Sequence, residues 1–344
     1  MPLQSHQTTQ EKTAVKKTFV SDLQAGNVLE HEPFLLQDAI TRKTKDGRDY
    51  LLGNLRDKSG QVTFVYWDVP EYVFRWAQPG HIVLVTGRIN NYKDSLQITI
   101  TDLNECLNPD LAAFLPTSSR PREVLVAELK DIVGLLAEPW RALVTQLLLA
   151  DTVFLHQFSI APAARKMHHA YLGGLLEHSL SMANLAHTLA DHYPHVNRDL
   201  LVTGALLHDI GKAIEYDVAQ GFSFSDDGRL VGHIVRAVVL IEQAAHTLDA
   251  ISDEDLRQLI HLVTSHHGTL EWGSPITPKT LEAILLHQID LLDSRIQGYF
   301  DHLNDDVSQN DWTAKASPMF GTELRYPNDY PRSSRAESGA ADHE

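Results

Sequence analysis

The stretch Ala205-Leu206-Leu207-His208-Asp209-Ile210-Gly211-Lys212 places an imidazole and a carboxylate side by side directly after an apolar run. Residues 201–214 are apolar on nearly every side of a predicted helix, so both polar side chains are expected inside a helical bundle. An ionised carboxylate in such surroundings costs several kcal/mol unless a cation or a hydrogen-bond partner compensates it. The stretch therefore predicts a helical domain that holds a metal ion.

Other imidazoles and carboxylates of this part of the chain could complete the site. The candidate metal ligands are His178, His208, Asp209, His233, His266, His267 and Asp290. His178 is predicted on the inward face of a helix over 172–189, and Asp290 lies in an apolar part of a helix over 280–300. Asp293 is an alternative to Asp290 as the final ligand. This donor set suits hard or borderline divalent ions such as Mn, Fe, Mg or Zn.

The ligand series is compatible with two ions that share Asp209. The first ion would be held by His178, His208, Asp209 and Asp290. The second would be held by Asp209, His233 and either His266 or His267. Two such ions can polarise a phosphoryl oxygen and lower the pKa of water, which indicates hydrolysis of a phosphoester. Asp209 and Lys212 are the candidate catalytic residues, because Lys212 is a cation within reach of a bound phosphate.

Length and composition bound the remaining possibilities. The 344 residues suffice for two domains. The chain has no run of about 18 apolar residues, which excludes a membrane span, and its polar first 17 residues do not resemble a signal peptide. The single cysteine, Cys106, fits a reducing cytoplasm, so a cytoplasmic protein is expected. The net charge of −16 argues against a broad basic surface for nucleic acid.

The first third of the chain has a strand pattern. Alternating apolar residues predict five strands, the first beginning at Phe34, with a hairpin turn over 45–48 and a short helix over 70–77 between the third and fourth strands. This order is that of an OB-fold, a small barrel that commonly binds single-stranded nucleic acid. Residues 1–106 carry 12 Lys+Arg against 13 Asp+Glu, whereas the rest carries 17 against 32. A polyanion would therefore contact the first part of the chain or the metals.

The predicted fold class is multidomain α+β, with an OB-fold barrel followed by an all-α metal-binding bundle. We expect a flexible arm over 1–17, the barrel over 18–106, a Pro- and Ser-containing linker over 107–122, the helical domain over 123–314, and a flexible tail over 315–344.

Loop cations and an aromatic side chain of the barrel are the candidate contacts to a nucleic-acid strand. They are Arg42, Lys43 and Tyr50 in and beside the first hairpin. The alternative is that the cations are a solvated face and that the aromatic rings fill the barrel.

Three motifs resemble a known family. His178, His208-Asp209 and Asp290 resemble the HD-domain phosphohydrolases. Three longer segments are similar to the YhaM-type 3′→5′ exoribonucleases. They are His168-His169-Ala170-Tyr171-Leu172-Gly173-Gly174-Leu175-Leu176-Glu177-His178, Gly228-Arg229-Leu230-Val231-Gly232-His233-Ile234 and His266-His267-Gly268-Thr269-Leu270-Glu271-Trp272-Gly273-Ser274-Pro275. The resemblance covers about residues 20 to 315.

The resemblance implies stepwise hydrolysis of single-stranded RNA, and in some members single-stranded DNA, from the 3′ end. It also implies two divalent ions of the manganese type, with Fe, Co, Mg or Zn as alternatives, and an OB-fold that grips the strand. By the same resemblance, a group of residues before the first ligand would lie near the entrance and contact phosphate. These are Arg165, Lys166, His168 and His169. A homo-oligomer is left open.

Two other functions remain as alternatives at this point. One is an HD-domain phosphohydrolase acting on nucleotides or cyclic dinucleotides. The signalling enzymes of that class carry a Gly-Tyr-Pro element near the later histidines, whereas Gly268 is followed here by Thr269 and Leu270. The other is a nucleic-acid-binding module whose metal is only structural.

Overall fold

The computed structural model describes residues 15–330 apart from 94, 166–167, 219–220, 249, 307 and 309. The chain divides into two compact units. The first comprises the described part of Met1–Thr117 together with Tyr216–Asp226, and the second comprises Ser118–Glu215 together with the described part of Asp227–Glu344. The predicted combination of a barrel and a helical bundle is confirmed.

The first unit is built on a closed barrel with the strand order β1-β2-β3-β5-β4. Its elements are β1 (Val28–Lys43), β2 (Asp49–Asp57), β3 (Gly60–Tyr66), α1 (Val73–Trp76), β4 (Ile82–Tyr92) and β5 (Ser95–Glu105). Single turns of 3-10 helix cover Val20–Asp22 and Leu111–Ala113. Val62, Phe64 and Tyr66 of β3 point inward and are buried, as their period-2 spacing predicts. The short helix between β3 and β4 is likewise where the sequence places it.

The first strand begins at Val28, six residues before the predicted start at Phe34. The pairing of β1 with β4 shifts register between Leu29 and Glu32, and His31 in this bulge has a φ of 50°. A bulge inserts an extra residue, so the apolar alternation loses its phase there. This interruption is why the alternation reveals only the later part of the strand.

Parts of two segments that were predicted outside the barrel, the flexible arm and the linker, pack against it. Lys16, in the predicted arm, is 8% exposed; its Nζ donates to the carbonyl of Pro33 at 2.8 Å and lies 3.2 Å from Asp57 Oδ2. Phe114, in the predicted linker, is fully buried, and Ala113 accepts a hydrogen bond from the backbone of Lys58. Residues 1–14 of the predicted arm lie outside the described residues.

The second unit is helical. Its elements are α2 (Arg122–Leu135), α3 (Trp140–Val144), a π-helical turn (Thr145–Leu149), α4 (Thr152–Ile160), α5 (Gly174–His192), α6 (Arg198–Leu207), α7 (Lys212–Glu215), α8 (Asp226–Leu230), α9 (His233–Leu248), α10 (Asp253–Ser265), a 3-10 turn (Leu270–Trp272) and α11 (Leu281–Asp305). Side-chain caps fix several starts: Asn197, Ser252 and Thr280 each accept a hydrogen bond from a backbone N–H of the first turn. The core is formed by apolar faces of α2, α5, α6, α9, α10 and α11.

The helical unit departs from the sequence prediction at three places. The helix expected over 201–214 ends at Leu207, so the His-Asp pair begins a turn. The segment 226–229, expected to be a turn, is instead part of the short helix α8. An unpredicted hairpin of β6 (Tyr216–Asp217) and β7 (Ser223–Phe224) precedes α8 and belongs to the first unit. In the predicted tail, the described residues Leu324 and Tyr326 are buried and pack with Leu303 of α11. The tail residues 331–344 lie outside the described part of the chain.

Within the described residues, no single helix is long and apolar enough to cross a membrane. Trp140–Leu149 and Thr152–Ile160 reach the required length and composition only as a pair, bent by 81°.

Candidate metal centre

The helical unit brings all seven predicted ligands together. His178 lies on α5, His208 and Asp209 follow the end of α6, His233 is the first residue of α9, His266 and His267 follow α10, and Asp290 lies on α11. Their ligand atoms form three overlapping groups, each within 4.8 Å. The groups are His178, His208 and Asp290; His208, Asp209 and His266; and His233, His266 and His267.

Asp209 lies at the middle of these groups. Its Oδ2 is 3.2 Å from His208 Nε2. Its Oδ1 is 3.5 Å from His233 Nε2 and 3.6 Å from His266 Nε2. Each carboxylate oxygen therefore faces a different set of imidazoles, which is the arrangement a ligand shared between two cations requires.

The five imidazoles are oriented in the same way. In each, Nδ1 hydrogen-bonds an oxygen acceptor, which directs Nε2 towards the centre. The acceptors are Asp293 Oδ2 for His178 (2.7 Å), the Ala205 carbonyl for His208 (3.0 Å), Glu215 Oε1 for His233 (3.1 Å), the Val263 carbonyl for His266 (2.6 Å) and the Trp272 carbonyl for His267 (2.8 Å). When Nδ1 carries the proton of a neutral ring, Nε2 presents its lone pair.

Three of the atoms that face the centre lack a hydrogen-bond partner among the described residues. Asp209 Oδ1, His233 Nε2 and His266 Nε2 are buried without a hydrogen bond among the described residues. His178 Nε2 and His208 Nε2 face each other at 3.3 Å, and the Nδ1 atom of each ring is already bonded to an oxygen acceptor. Buried acceptors without donors are costly unless a cation satisfies them. The residues present therefore fit divalent ions.

Burial and neighbouring charge set the protonation of this site. Burial opposes protonation of His178, but the hydrogen bonds and charges of Asp290 and Asp293 outweigh it and raise the pKa of His178 to about 9. Burial, together with the charge of His208, holds the pKa of His266 well below its ordinary value. Burial alone would raise the pKa of Asp209, but the positive charges of Lys212 and His208 hold it well below its usual range.

Lys212 and Gly211 complete the turn that presents the His-Asp pair. Lys212 Nζ donates to Asp209 Oδ2 at 2.6 Å, so its positive charge lies beside the central carboxylate. A Cβ on Gly211 would lie 2.1 Å from the carbonyl oxygen of His233. Glycine is thus required because the backbone that carries His233 approaches directly.

The residues predicted to contact phosphate behave differently from one another. The His168 ring lies 6.3 Å from that of His178, and its Nδ1 is buried without a hydrogen bond among the described residues. Burial, and then the charges of His178 and Lys212, lower the pKa of His168 to about 4. His169 is 4% exposed, with one ring nitrogen bonded to Asp293 and the other to Tyr171, which leaves neither for phosphate. Arg165 is exposed, and Lys166 lies outside the described residues.

Two acidic residues that orient ligands were not predicted in that role. Asp293, weighed only as a ligand, contacts the Nδ1 edge of His178, whereas Asp290 Oδ1 lies 3.5 Å from Nε2. Glu215, which is buried, accepts hydrogen bonds from both the backbone N–H and the Nδ1 of His233. A carboxylate one helical turn after a candidate ligand was the available signal for Asp293.

The barrel unit carries the other predicted contacts. Arg42 of β1 is paired with Tyr50 of β2, and the Tyr50 ring lies 4.6 Å from that of Trp67 at 32°. Lys43 is exposed and forms an ion pair with Asp49 at 3.0 Å. Trp67, which was not predicted as a contact, is 47% exposed. Its position in alternation with inward-facing Tyr66 was the signal that it points out of the barrel.

Comparison with known proteins agrees with both units. The HD domain family matches residues 175–295, and the family described as OB-fold nucleic acid binding domain matches residues 35–105. The 3'-5' exoribonuclease YhaM of a Geobacillus species is 36% identical over 267 residues, which are 76% of this chain and 82% of that protein. The 3'-5' exoribonuclease YhaM of Bacillus subtilis is 32% identical over 294 residues, 85% of this chain and 91% of its own length. The chain belongs to the YhaM family.

Membership of the YhaM family favours exoribonuclease chemistry over the alternative of a nucleotide or cyclic-dinucleotide phosphohydrolase. The HD domain implies dependence on a divalent metal, in agreement with the clustered donors. A family described as a putative helicase also matches residues 108–196. Among solved structures, an OB-fold domain of replication protein A from Methanococcus maripaludis covers 25% of this chain and 90% of its own at 20% identity. The TM-score of this match is 0.21.

Proposed function

We propose that this protein is a metal-dependent exoribonuclease that removes nucleotides from the 3′ end of single-stranded RNA. The observation that carries the proposal is the convergence of His233 Nε2, His266 Nε2 and Asp209 Oδ1 in a chain of the YhaM family. All three atoms are buried and have no hydrogen-bond partner within the described part of the chain. These lone pairs suit divalent cations, and the relatives matched over 82% and 91% of their own length are named as exoribonucleases.

Two ions would be divided between the ligand groups as follows. The first would take His178, His208, Asp209 and Asp290. The second would take Asp209, His233, His266 and His267. Both imidazoles of the adjacent pair enter the second set, since the ligand atoms of His233, His266 and His267 lie within 4.8 Å of one another. When bound, divalent ions supply Lewis acidity for the phosphoryl group and lower the pKa of water.

The protein's own residues would orient the ligands and the scissile phosphate. Asp209 holds negative charge at the point shared by the two groups, because its two oxygens face different imidazoles. Lys212 lies against Asp209 and would place its ammonium beside a non-bridging phosphate oxygen. His168 is held neutral by its lowered pKa and could therefore accept or donate a hydrogen bond at the same phosphate.

The barrel would hold the RNA strand by stacking and by contacts to phosphate. Tyr50 of β2 and Trp67, the residue after β3, form a tilted aromatic pair. Arg42 lies opposite Tyr50 on β1. Lys43 adds a second cation beside Arg42. Bases of any identity stack on such rings, so this surface suits a strand that is shortened regardless of sequence. The same contacts would accept single-stranded DNA.

The proposal also covers the native metal, the cellular location and the oligomeric state. Manganese is the ion we expect, since mixed imidazole and carboxylate donors suit it, with Fe, Co, Mg or Zn as alternatives. A cytoplasmic location is inferred from the single cysteine, Cys106, which is buried and free. A homo-oligomer stays a prediction.

The test is incubation of the purified chain with single-stranded RNA labelled at its 5′ end or, separately, at its 3′ end, in the presence of Mn²⁺. A 5′ label should yield a ladder of progressively shorter strands, and a 3′ label should yield mononucleotide at once. Intact RNA at high enzyme concentration, or release of mononucleotide from the 5′ label first, contradicts the proposal.

A further inference from the structure

Two carboxylates of α11 contact opposite edges of one imidazole ring. Asp290 Oδ1 lies 3.5 Å from His178 Nε2, and Asp293 Oδ2 lies 2.7 Å from His178 Nδ1. Only the Nε2 edge faces the other ligands, with His208 Nε2 at 3.3 Å. Asp290 can therefore share a cation with His178, whereas Asp293 lies on the far side of the ring.

Hydrogen-bond donors already occupy the Asp293 carboxylate. Its Oδ2 accepts from His178 Nδ1 and also from His169 Nε2 at 2.9 Å, and its Oδ1 accepts from the hydroxyl of Ser181 in a short bond. The residue is 9% exposed. A buried carboxylate that accepts three hydrogen bonds has little capacity left for a cation, and its geometry is tightly defined.

The far end of this network is fixed by the backbone. His169 has a φ of 54°, in the left-handed region that an imidazole residue rarely adopts, and its carbonyl approaches so closely that a Cβ on Gly174 would lie 2.1 Å away. His169 Nδ1 bonds the hydroxyl of Tyr171 at 2.8 Å, and Tyr171 donates to Glu177 Oε2 at 3.0 Å. A side chain held in strained backbone with both ring nitrogens bonded cannot easily turn away from Asp293.

We propose that Asp293 is a positioning residue, which fixes the ring of His178 through Nδ1 so that Nε2 points at the first ion. His169 and Ser181 hold Asp293, and the second ligand group takes no part in this network. The inference depends on the proposed function only in taking His178 as a metal ligand. Carboxylates that orient ligating histidines in this way typically contribute 10- to 100-fold to metal affinity.

The test is a calorimetric titration of the metal-free full-length chain with MnCl₂, for the wild type and for Asp293→Ala, Asp293→Asn and Glu282→Gln. Asp293→Ala should weaken one of the two bound ions by about 10- to 100-fold and leave the other unchanged. Asp293→Asn should weaken the same ion less, because its amide oxygen still accepts one hydrogen bond. Glu282, a buried carboxylate of the same helix that accepts a hydrogen bond from the backbone N–H of Asn197, is the matched control and should have no effect on either ion.

Circular dichroism of each metal-free variant separates positioning from folding. If Asp293→Ala does not fold, Ser181→Ala removes one donor to Asp293 and should weaken the same ion by a few-fold. Unchanged affinity for both ions in folded variants overturns the positioning role, as does equal weakening of both. A third ion in the wild type also overturns it, because His169, His178 and Asp293 would then be ligands. A wild type that binds no ion overturns the proposed function itself.

Discussion

The Nε2 atoms of His178 and His208 lie 3.3 Å apart, and the Nδ1 atom of each ring is already bonded to an acceptor. Two ring nitrogens at this distance share a proton or a cation. The nearby carboxylates of Asp209 and Asp290 favour positive charge at this position, whether a proton or a metal ion carries it. This relationship determines how the metal site should respond to pH and to substitution.

We expect the first ion to displace a proton. Because the pKa of His178 is raised to about 9 in the metal-free protein, its ring is protonated at neutral pH and must lose that proton to bind a metal. The affinity of this ion should therefore fall by about tenfold for each pH unit below 9. Calorimetry at pH 7.5 in buffers of different ionisation enthalpy should detect about one proton released.

The second ion provides the internal comparison for this prediction. Burial lowers the pKa of His266 and that of His267, so both rings are already neutral at pH 7.5 and release no proton of their own. Affinity for the first ion that stays constant between pH 7 and pH 9 would contradict the raised pKa of His178.

Removing the shared carboxylate should separate hydrolysis from binding. Asp209→Ala deletes the one ligand that faces both imidazole sets, so RNA hydrolysis should fall by at least about two to three orders of magnitude. The barrel contains none of these ligands, and affinity for single-stranded RNA should be retained. Activity is measured on labelled RNA and affinity by fluorescence anisotropy. Substantial hydrolysis by this variant would argue against a shared ligand.

The sequence predicted which residues meet but not how their rings are turned. His178 and Asp290 were assigned inward from their helical register, since a 3.6-residue period determines which face is buried. The orientation of an imidazole depends on the acceptor at its Nδ1. For His178 that acceptor is Asp293, 115 residues away in sequence, and for His233 it is Glu215. Such partners are set by tertiary packing, which local patterns do not encode.

The barrel shows the same division between local and non-local information. Alternation puts the consecutive residues Tyr66 and Trp67 on opposite faces, and the structure buries Tyr66 and exposes Trp67. The stacking of Trp67 on Tyr50 depends on the pairing of β2 with β3, because the two residues are 17 positions apart. The bulge at His31 hid the start of β1 by breaking the period of two.

Adding one methyl group to the His-Asp turn should distort the second ligand group. Gly211→Ala would place a Cβ 2.1 Å from the carbonyl of His233, so the backbone must shift. We expect destabilisation of about 1–3 kcal/mol and weaker binding of the second ion. Urea denaturation and metal titration measure the two effects.

The matched control for this substitution is Gly134→Ala. Gly134 lies in α2 and a Cβ there meets nothing within 4 Å. Alanine at this position, in the last turn of α2, should stabilise the protein by at most about 0.5–1 kcal/mol. Equal effects of the two substitutions would show that the approach of His233 to Gly211 is not what requires glycine.

Removing the exposed ring of the barrel should weaken RNA binding without altering the chemistry. Trp67 is 47% exposed and stacks against Tyr50, so Trp67→Ala removes one stacking platform, which contributes about 1–3 kcal/mol per base. Affinity for a long single strand should fall by roughly 5- to 150-fold. Hydrolysis of a dinucleotide should be unchanged, because all the candidate metal ligands belong to the helical unit. Tyr193→Ala is the control, since Tyr193 is similarly exposed at 46% but lies in the helical unit.

If Trp67→Ala slowed hydrolysis of the dinucleotide as much as that of the long strand, the ring would be acting on folding or on the metal centre. If it changed neither substrate, the RNA would have to be held by another face of the protein.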